Sequence, residues 1–437
     1  MRVCYDDDGI ISNLIKADPQ PGDIRVGVLL PSPSNLHSHA FQRAMAGLTE
    51  GRGDNERDSF WTWRKLMYQF LQHLTPDDIE AITAFAQMQM LEAGFASVAE
   101  FHYLHHQPNG SSYGNIAELS DRIISAANDT GIGLTLLPVL YERGGCDDRA
   151  LIDSQLRFGN DLDRFFKLHN AAAKSVKSLP SDCILGISAH SLRAVTTDSL
   201  KHLVGSADTQ PLHIHIAEQL AEIEEVLANY GARPVEWLLS NHNVTPNWCL
   251  VHATHMTPQE TKALASSGAV AGICPLTEAN LGDGIFEGVD YFAHAGRFGI
   301  GTDSNIRISL KDELQMLEYS QRLKEKSRAV LATKEVSTGH TLLSGAAKGG
   351  AQALGRNNGA IRAGSLADFI ALNDQAIDLA NAKSDQLIDG FIFAGNDTQI
   401  TDVWSAGRHL VKDGHHIARE KITTRYASTL KALLQRL

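Results

Sequence analysis

Residues 212–218 have the sequence LHIHIAE, a short apolar run with β-branched residues that ends in an acid. Seven more runs of this kind, each with polar or ionisable residues at its end and a helix-spaced segment behind it, begin at Asn35, Ser97, Leu134, Cys183, Trp248, Val270 and Phe298. This alternation predicts parallel β/α units. Eight such units over roughly 300 residues match an α/β fold of the (β/α)8 barrel type, whose active site lies at the C-terminal ends of the strands.

Two helix starts support this interpretation. Thr75 and Pro76 predict an N-cap followed by a first-turn proline, and Gly94 predicts the end of that helix. Thr257 and Pro258 repeat the same start signal later in the chain. Both segments are therefore expected to be amphipathic helices on the barrel surface.

The two ends of the chain depart from the barrel pattern. Turn signals between short apolar stretches fill residues 1–31, and short strands return in the runs that begin at Ser365 and Asp402. We therefore predict a small β-sandwich module built from both termini, over residues 1–31 and 361–437, beside a barrel over residues 32–360. The last segment, KITTRYASTLKALLQRL, is expected to be a helix that closes this module.

The composition limits the partners and the compartment. The chain has 437 residues, with 39 Lys and Arg against 51 Asp and Glu, so its formal net charge is −12. Such a chain has no long-range attraction to nucleic acid or anionic lipid. No apolar run approaches the roughly 20 residues that span a bilayer. The five cysteines form no CxxC pair, which fits a reducing compartment, so we expect a cytoplasmic protein without nucleic-acid or membrane partners.

Histidines gather at the predicted strand ends. His37 and His39 are two residues apart on an extended strand, so their side chains leave the same face and can share one metal ion. A second pair, His213 and His215, lies in the fifth strand, and Asp303 follows the eighth. Either HxH pair alone is a weak signal. Because all strand ends face one mouth in a closed barrel, the first pair, one histidine of the second pair and Asp303 can surround a single cation.

This donor set suggests a hydrolytic chemistry. Three imidazoles and one carboxylate suit Zn²⁺, although iron or manganese could also bind. The metal would lower the pKa of a bound water from 15.7 toward about 7 and so supply hydroxide at neutral pH. Asp303 could accept a proton from that water, and Glu218 could reach it as a proton shuttle. His252 is suited to polarise the electrophile; the alternative is a core histidine bonded to a backbone carbonyl.

The pattern HxH, then HxxE, then a single histidine, then GTDS across a barrel of this size resembles the amidohydrolase superfamily over nearly the whole chain. In that superfamily the histidine of HxxE is the ligand, which implies His215 rather than His213. Binuclear members bridge two metals through a modified lysine or a carboxylate on the fourth strand. Residues 186–195, GISAHSLRAV, offer no lysine, so the resemblance implies the mononuclear deaminase branch with one divalent ion, Zn²⁺.

Within that branch, five segments resemble members that hydrolyse N-formimidoyl-L-glutamate to N-formyl-L-glutamate and ammonia in histidine degradation. The segments are NLHSHAFQRAMAGLTE, FWTWRKLMY, EFHYLHH, SAHSLRAV and HIHIAEQ. The resemblance implies a small anionic substrate and a homodimer. Two departures, LPSPSN before the first HxH where relatives tend to have a glycine at Ser32 or Ser34, and the short start MRVCYDDD, concern the packing of the small module more than the chemistry.

A substrate with two carboxylates needs cationic donors, since the protein is acidic overall. The planar guanidinium of arginine binds carboxylates with two parallel hydrogen bonds. Arg193 follows His190 near the predicted mouth, and Arg64 lies in an aromatic segment, residues 60–68, that we expect to be a loop; the alternative for Arg64 is a surface salt bridge. The resemblance implies five substrate-binding residues, which are Gln42, Arg64, Tyr103, His190 and Arg193.

Two other functions stay open. One is an aminohydrolase of the same branch that acts on a purine or pyrimidine base, which would need aromatic stacking and has no use for two arginines. The other is a catalytically silent barrel that serves as an assembly scaffold. The histidines at 102, 105 and 106 have a spacing that fits no single face, so we expect mostly loop residues there and no metal tract.

Overall fold

The computed structural model describes residues 1–51 and 60–437. The strands are β1 (Arg2–Tyr5), β2 (Ile11–Ile15), β3 (Val28–Pro31), β4 (Ser34–Ser38), β5 (Ser97–His102), β6 (Gly133–Leu140), β7 (Ile184–Leu185), β8 (Ile187–Ala189), β9 (Leu212–Ile216), β10 (Trp248–His252), β11 (Val270–Ile273), β12 (Arg297–Ile300), β13 (Phe369–Leu372), β14 (Ile400–Ser405), β15 (Arg408–Lys412) and β16 (His415–His416).

The helices are α1 (Phe60–Leu71), α2 (Pro76–Glu92), α3 (Glu118–Thr130), α4 (Leu162–Val176), α5 (Thr197–Ala207), α6 (Leu220–Tyr230), α7 (Pro234–Asn241), α8 (Pro258–Ser267), α9 (Pro275–Leu281), α10 (Gly288–Ala293), α11 (Leu310–Glu325), α12 (Thr338–Leu354), α13 (Asp385–Phe393) and α14 (Arg419–Leu434). Short 3-10 helices cover Ala40–Met45, Asp153–Arg157 and Asp397–Gln399. None of these helices is long and apolar enough to cross a bilayer.

The parallel strands form the predicted barrel. Their order is β12-β11-β10-β9-β8-β6-β5-β4, so each strand pairs with its neighbour in the chain. The fourth predicted strand is split at Gly186 into β7 and β8, which both pair with β6. A Cβ at Gly186 would lie 2.8 Å from the backbone carbonyl oxygen of Pro211, which cannot move aside as a side chain can, so glycine is required there. All eight predicted strand positions are confirmed.

The ring closes between the first and last barrel strands, β4 and β12. An isolated parallel bridge joins Ser38 to Asp303. The backbone amide of His39 donates to the carbonyl of Asp303 at 2.9 Å, and the amide of Asp303 donates to the carbonyl of His37 at 2.9 Å. Below them, the Asn35 amide donates to Thr302 Oγ1 at 2.7 Å. Closure therefore depends on hydrogen bonds made by the candidate site residues themselves.

The helix signals predicted from sequence are confirmed. The Thr75 hydroxyl accepts from the amide of Asp78, whose carboxylate accepts from the Thr75 amide in return, which is a capping box at the start of α2. Thr257 and Glu260 form the same arrangement at the start of α8. These caps satisfy amides that the first helical turn would otherwise leave unpaired.

Both termini contribute to a small antiparallel module, as predicted. A five-stranded sheet has the order β16-β15-β14-β13-β3, and β1 and β2 form a separate hairpin. Ile11 of the hairpin lies in one apolar cluster with Phe369 and Trp404 of the sheet. The opposite face of the sheet, with Ile370 and Val403, joins the main barrel core. The boundaries at residues 31 and 361 stay a prediction.

The last helix forms as predicted, and its contacts are with the barrel. The rings of Tyr426 on α14 and Phe85 on α2 are stacked with their centroids 3.9 Å apart. Arg425 pairs with Glu80 at 2.7 Å, beside the apolar contact. Ile422, one turn earlier on α14, is buried on the same face. The helix thus closes against α2, where its apolar stripe finds an apolar partner.

A buried ionic network connects the module to the barrel. Arg356, after α12, makes a bidentate contact with Asp368 at 2.7 and 3.0 Å. The third guanidinium nitrogen of Arg356, Nη1, donates to Asp182 Oδ2 at 2.7 Å. Arg408 of β15 donates to both oxygens of Asp182 at 2.7 and 2.8 Å. The Asp182 and Arg356 side chains are each only 3% exposed, so each depends on its partner to offset lost hydration.

We expect Asp182→Asn to lower the free energy of unfolding at pH 7 by about 3 kcal/mol, because it leaves two arginines without their shared charge. Burial would raise the pKa of Asp182, but Arg408 and Arg356 hold that pKa at about 2, below the ordinary 3.8. Since the folded pKa is depressed, this stabilisation is present above pH 3.8 and is lost as pH falls toward 2. Denaturant unfolding of both proteins from pH 7 to pH 3 measures it.

The matched control is Asp77→Asn, because Asp77 pairs with Arg122 at 2.7 Å but its side chain is 81% exposed. An exposed pair of this kind contributes at most about 1 kcal/mol. A difference between wild type and Asp182→Asn that is equally large at pH 7 and pH 3 would contradict the electrostatic explanation.

Candidate active site

The four predicted metal ligands meet at the mouth of the barrel. His37 Nε2 lies 3.0 Å from His215 Nε2 and 3.5 Å from Asp303 Oδ1. His39 Nε2 lies 3.2 Å from the same carboxylate oxygen. All four side chains are buried. The structure thus brings together residues from the first, fifth and eighth strands, as the barrel topology predicted.

The backbone turns sharply where the strands end. Asp303 has φ +44° and His252 has φ +69°, values in the left-handed region that residues other than glycine rarely adopt. Ala217, between His215 and Glu218, has φ +53°. Such conformations cost of order 1 kcal/mol each and persist where the surroundings fix them, often at functional sites. Here they occur in the segments that carry the site residues.

The protonation states of the cluster fit a divalent cation. Burial lowers the pKa of His37 to about 3, and it also lowers the pKa of His39 and of His215. Burial would raise the pKa of Asp303, but its contacts with the histidines hold that pKa below its usual range. His39 Nδ1 lies 3.0 Å from the carbonyl of Phe101, which orients its Nε2 toward Asp303. Three neutral imidazoles and one carboxylate are a ligand set that Zn²⁺ prefers.

His252 lies among carboxylates. Its Nε2 is 3.8 Å from Glu218 Oε1 and 3.8 Å from Asp303 Oδ2, while its Nδ1 is 3.2 Å from Glu278 Oε1. Burial would lower the pKa of His252, but these acids raise it to about 10. The alternative of a core histidine bonded to a backbone carbonyl is therefore wrong. Burial raises the pKa of Glu218, whose carboxyl lies beside His252 and the cluster.

Two buried acids of the site were not found from the sequence. Glu278 Oε1, which faces His252, also accepts from the amide of Cys274 at 2.9 Å. Glu222 accepts from the amides of Ala217 and Glu218 at 3.1 and 3.2 Å and so holds the turn that carries Glu218. A sequence signal existed in each case, since each acid lies in the first turn of the helix behind its strand.

A pocket opens above the cluster. All five predicted substrate-binding residues line it, together with the candidate catalytic residues and an aromatic wall. The wall consists of Trp63, Tyr68, Tyr103, Tyr141 and Phe158. The structure therefore joins the predicted binding residues and three of the four predicted metal ligands, His39, His215 and Asp303, in one cavity.

Two polar atoms of this pocket are buried without a hydrogen-bond partner in the described part of the chain, Gln42 Oε1 and Arg193 Nε. Gln42 donates through Nε2 to the hydroxyl of Tyr103 at 3.0 Å, which leaves its carbonyl oxygen to accept. Arg193 Nη2 lies 3.9 Å from Glu222, while its Nε has no partner among the described residues. Buried polar groups of this kind usually find a partner, so a ligand that supplies one acceptor and one donor would satisfy both.

The prediction that residues 60–68 form a loop is wrong for Arg64. It lies on α1, where Met67, Phe70 and Leu71 are buried and hold the segment as a helix. Arg64 donates to the hydroxyls of Tyr68 and Tyr141 at 2.6 and 3.2 Å, and all three residues line the pocket. The side chains of residues 60–62 lie outside the described part of the structure.

Four other histidines considered in the sequence analysis lie outside the cluster, and those with a hydrogen bond contact the protein itself. His213 Nε2 lies 2.8 Å from the carbonyl of Ala353, in the barrel interior. His102 ends β5 and is buried, so it is the one of the three that lies on a strand. His105 and His106 follow it in a loop, as predicted, but both are buried as well, with His106 Nε2 2.9 Å from Asn160 Oδ1. These histidines are buried because the surrounding chain packs over them, and their spacing in the sequence gave no sign of this burial.

A (β/α)8 barrel whose mouth holds three imidazoles, a carboxylate and a further buried acid has the architecture of a metal-dependent hydrolase. The model of the amidohydrolase family matches residues 28–410. A formimidoylglutamate deiminase from Pseudomonas aeruginosa is 45% identical over 430 residues, which is 98% of this chain and 94% of that protein. The chain belongs to the amidohydrolase family.

Solved structures agree with this assignment. An amidohydrolase from Brucella melitensis superposes with a TM-score of 0.94 at 46% identity, over 98% of this chain and 94% of its own. An adenosine deaminase from Xanthomonas campestris with bound zinc has a TM-score of 0.78 at 19% identity, over 93% of this chain and 86% of its own, and it shares the fold.

We expect His215→Gln to lose most of the bound metal after reconstitution with zinc, because it removes one of the converging nitrogens. His213→Gln is the matched control, since His213 lies on the same strand and face but contacts the carbonyl of Ala353. Elemental analysis of both purified variants gives the metal content per chain. Equal zinc in the two variants would remove His215 from the ligand set.

Proposed function

We propose that this protein hydrolyses N-formimidoyl-L-glutamate to N-formyl-L-glutamate and ammonia, a step of histidine degradation. The observation that carries the proposal is the presence of two arginines, Arg64 and Arg193, in the pocket that also holds the metal-ligand cluster. The relative from Pseudomonas aeruginosa, which is named for this reaction, supports it.

The pocket suits a dianion within an acidic protein. A substrate carboxylate would give Arg193 Nε the acceptor that it lacks in the described structure. A charge-assisted hydrogen bond of this kind contributes roughly 1.5–3 kcal/mol. An N–H of the formimidoyl group would satisfy Gln42 Oε1. We therefore propose that Gln42, Arg64, Tyr103, His190 and Arg193 bind the substrate and place its amidine carbon over the cluster.

We propose that one divalent ion, Zn²⁺, is held by His37, His39, His215 and Asp303. When bound, such an ion lowers the pKa of a water and polarises the electrophile. Iron or manganese would supply the same chemistry, so the zinc content of the purified protein decides the identity. The group formed by His252, Cys274 and Glu278 also offers atoms of the kind that bind metals. We assign Glu278 another role, because its contact with His252 Nδ1 orients that imidazole.

The protein's own residues move the protons. Glu218 Oε1 and Asp303 Oδ2 each lie 3.8 Å from His252 Nε2, and both residues line the pocket, so both carboxylates face the same reacting volume. The attacking water forms the new C–O bond, and its protons pass through Glu218 and Asp303 to the terminal nitrogen. The C–N bond then breaks and ammonia leaves, because an amine departs far more easily when protonated. His252 donates toward the charge that develops on the amidine carbon's new oxygen.

We propose further that the enzyme is a cytoplasmic homodimer. All five cysteines are free in the structure, which fits a reducing compartment. The dimer rests on the resemblance to relatives, and sedimentation analysis of the purified protein tests it.

The purified enzyme should release ammonia from N-formimidoyl-L-glutamate with a kcat/KM at least about a thousandfold above that for guanine or cytosine, because those bases offer no carboxylate to the two arginines. A chelator should abolish the activity and zinc should restore it. Steady release of ammonia from either base, with none from N-formimidoyl-L-glutamate, would establish the competing aminohydrolase. No activity and no bound metal would indicate the scaffold.

Glu218→Gln should keep its metal but lose a factor of about 10²–10⁴ in kcat, because an amide cannot accept a proton from the water and release it to the substrate. The comparison is Glu224→Gln, an exposed acid on the following helix, which should behave like wild type. Steady-state rates and zinc content are measured on the same samples. A near wild-type rate in Glu218→Gln would remove Glu218 from its role.

A further inference from the structure

Arg64 is held by two tyrosine hydroxyls at one side of the pocket. Its Nε donates to Tyr68 Oη at 2.6 Å, and its Nη2 donates to Tyr141 Oη at 3.2 Å. The guanidinium carbon also lies 5.1 Å from the centre of the Tyr68 ring. Both tyrosines line the pocket. The two hydroxyls therefore lie beside the cationic group that the proposed function assigns to a substrate carboxylate.

A glutamine behind the pocket contacts both hydroxyls. Gln155, on the 3-10 helix Asp153–Arg157, is buried and does not belong to the pocket lining. Its Nε2 donates to Tyr68 Oη at 3.3 Å and to Tyr141 Oη at 3.4 Å. Its Oε1 accepts from the backbone amide of Ile152 at 3.2 Å. This backbone contact fixes the orientation of the amide, so the nitrogen must face the tyrosines.

These contacts decide which way the hydroxyl hydrogens point. A phenol has one O–H donor and two acceptor lone pairs. At both Tyr68 and Tyr141, one lone pair accepts from Arg64 and the other accepts from Gln155, and neither donor can accept in return at these atoms. The hydrogen of each hydroxyl is thereby left to donate to a third group. Burial raises the pKa of Tyr68 to about 12, so that hydrogen stays in place at neutral pH.

We infer that Tyr68 and Tyr141 donate their hydroxyl hydrogens to one carboxylate of the substrate, beside Arg64, and that Gln155 is a positioning residue that aims them. We call this set, Arg64, Tyr68, Tyr141 and Gln155, the carboxylate cradle. Two hydroxyl donors next to a guanidinium match a planar anion with two acceptor oxygens. The identity of the substrate rests on the proposed function. That these residues bind a carboxylate rests on the geometry of the two hydroxyls alone.

The first test uses Tyr68→Phe and Tyr141→Phe, which each remove one donor and keep the ring. Each should raise KM for N-formimidoyl-L-glutamate roughly tenfold or more while kcat stays within about twofold, because a contact made equally in ground and transition states changes only KM. Binding of glutarate, measured by calorimetry, should weaken by a similar factor. Tyr113→Phe is the matched control, since its hydroxyl also accepts from an arginine, Arg157, away from the pocket.

The second test isolates the positioning role. Gln155→Met should raise KM several-fold with little change in kcat, although Gln155 does not line the pocket. In the double variant Tyr68→Phe/Tyr141→Phe, adding Gln155→Met should change KM no further, because the hydroxyls through which it acts are gone. A Gln155 effect of equal size in both backgrounds would reflect general loosening of the segment and would overturn the positioning role.

The two measurements separate the cradle from the proposed function. If wild type releases no ammonia from N-formimidoyl-L-glutamate but binds glutarate, and both phenylalanine variants bind it more weakly, the proposed substrate is wrong and the cradle stands. If wild type turns over the substrate and both phenylalanine variants keep its KM and its affinity for glutarate, the cradle is overturned. Failure of wild type to bind glutarate at all would also overturn it.

Discussion

The site depends on how the barrel closes. The first and last barrel strands meet through backbone hydrogen bonds between residues 37–39 and residues 302–303, and the same residues carry three of the four cluster side chains. A barrel of this type must close with a fixed register, because its strand number and stagger are linked. A slip of one residue would turn the imidazoles of β4 away from the mouth. Ring closure and cluster geometry are therefore a single constraint.

Charge is the second constraint, because the mouth concentrates buried acids. Glu218, Glu278 and Asp303 all lie within 4 Å of the His252 ring nitrogens. Buried carboxylates at this density repel one another unless they are neutralised or paired. His252 offsets part of this repulsion, and a divalent cation at the neighbouring cluster would offset more. The arrangement is thus strained without a cation and favourable with one, which is the physical reason why such a donor set binds metal.

Much of the fold follows from local sequence, because each barrel strand is a short buried run ended by polar residues. The sequence also predicts that the two histidines of each HxH pair lie on one face of a strand, because residues two apart on a strand share a face whatever surrounds them. Glu278 has a local signal as a first-turn acid, but its role and that of Gln155 could not be predicted, because they depend on partners 26 and 87 residues away in the chain. The helix that carries Arg64 was missed for a related reason. Aromatic residues have only moderate helix propensity, so FWTWRKLMY becomes a helix through tertiary burial.

The chemistry and the recognition are carried by different kinds of structure. The residues proposed to move protons and to hold the metal lie at strand ends, several of them in left-handed backbone conformations. The cradle lies on α1, a strand end and a 3-10 helix, and it is held by side-chain hydrogen bonds of 2.6–3.4 Å. Replacing one such side chain leaves the backbone of the barrel unchanged, whereas moving a strand end disturbs closure. Substrate preference in this protein can therefore change through Tyr68, Tyr141 or Gln155 without loss of the hydrolytic centre. The barrel thus constrains the type of reaction more tightly than it constrains which carboxylate substrate is hydrolysed.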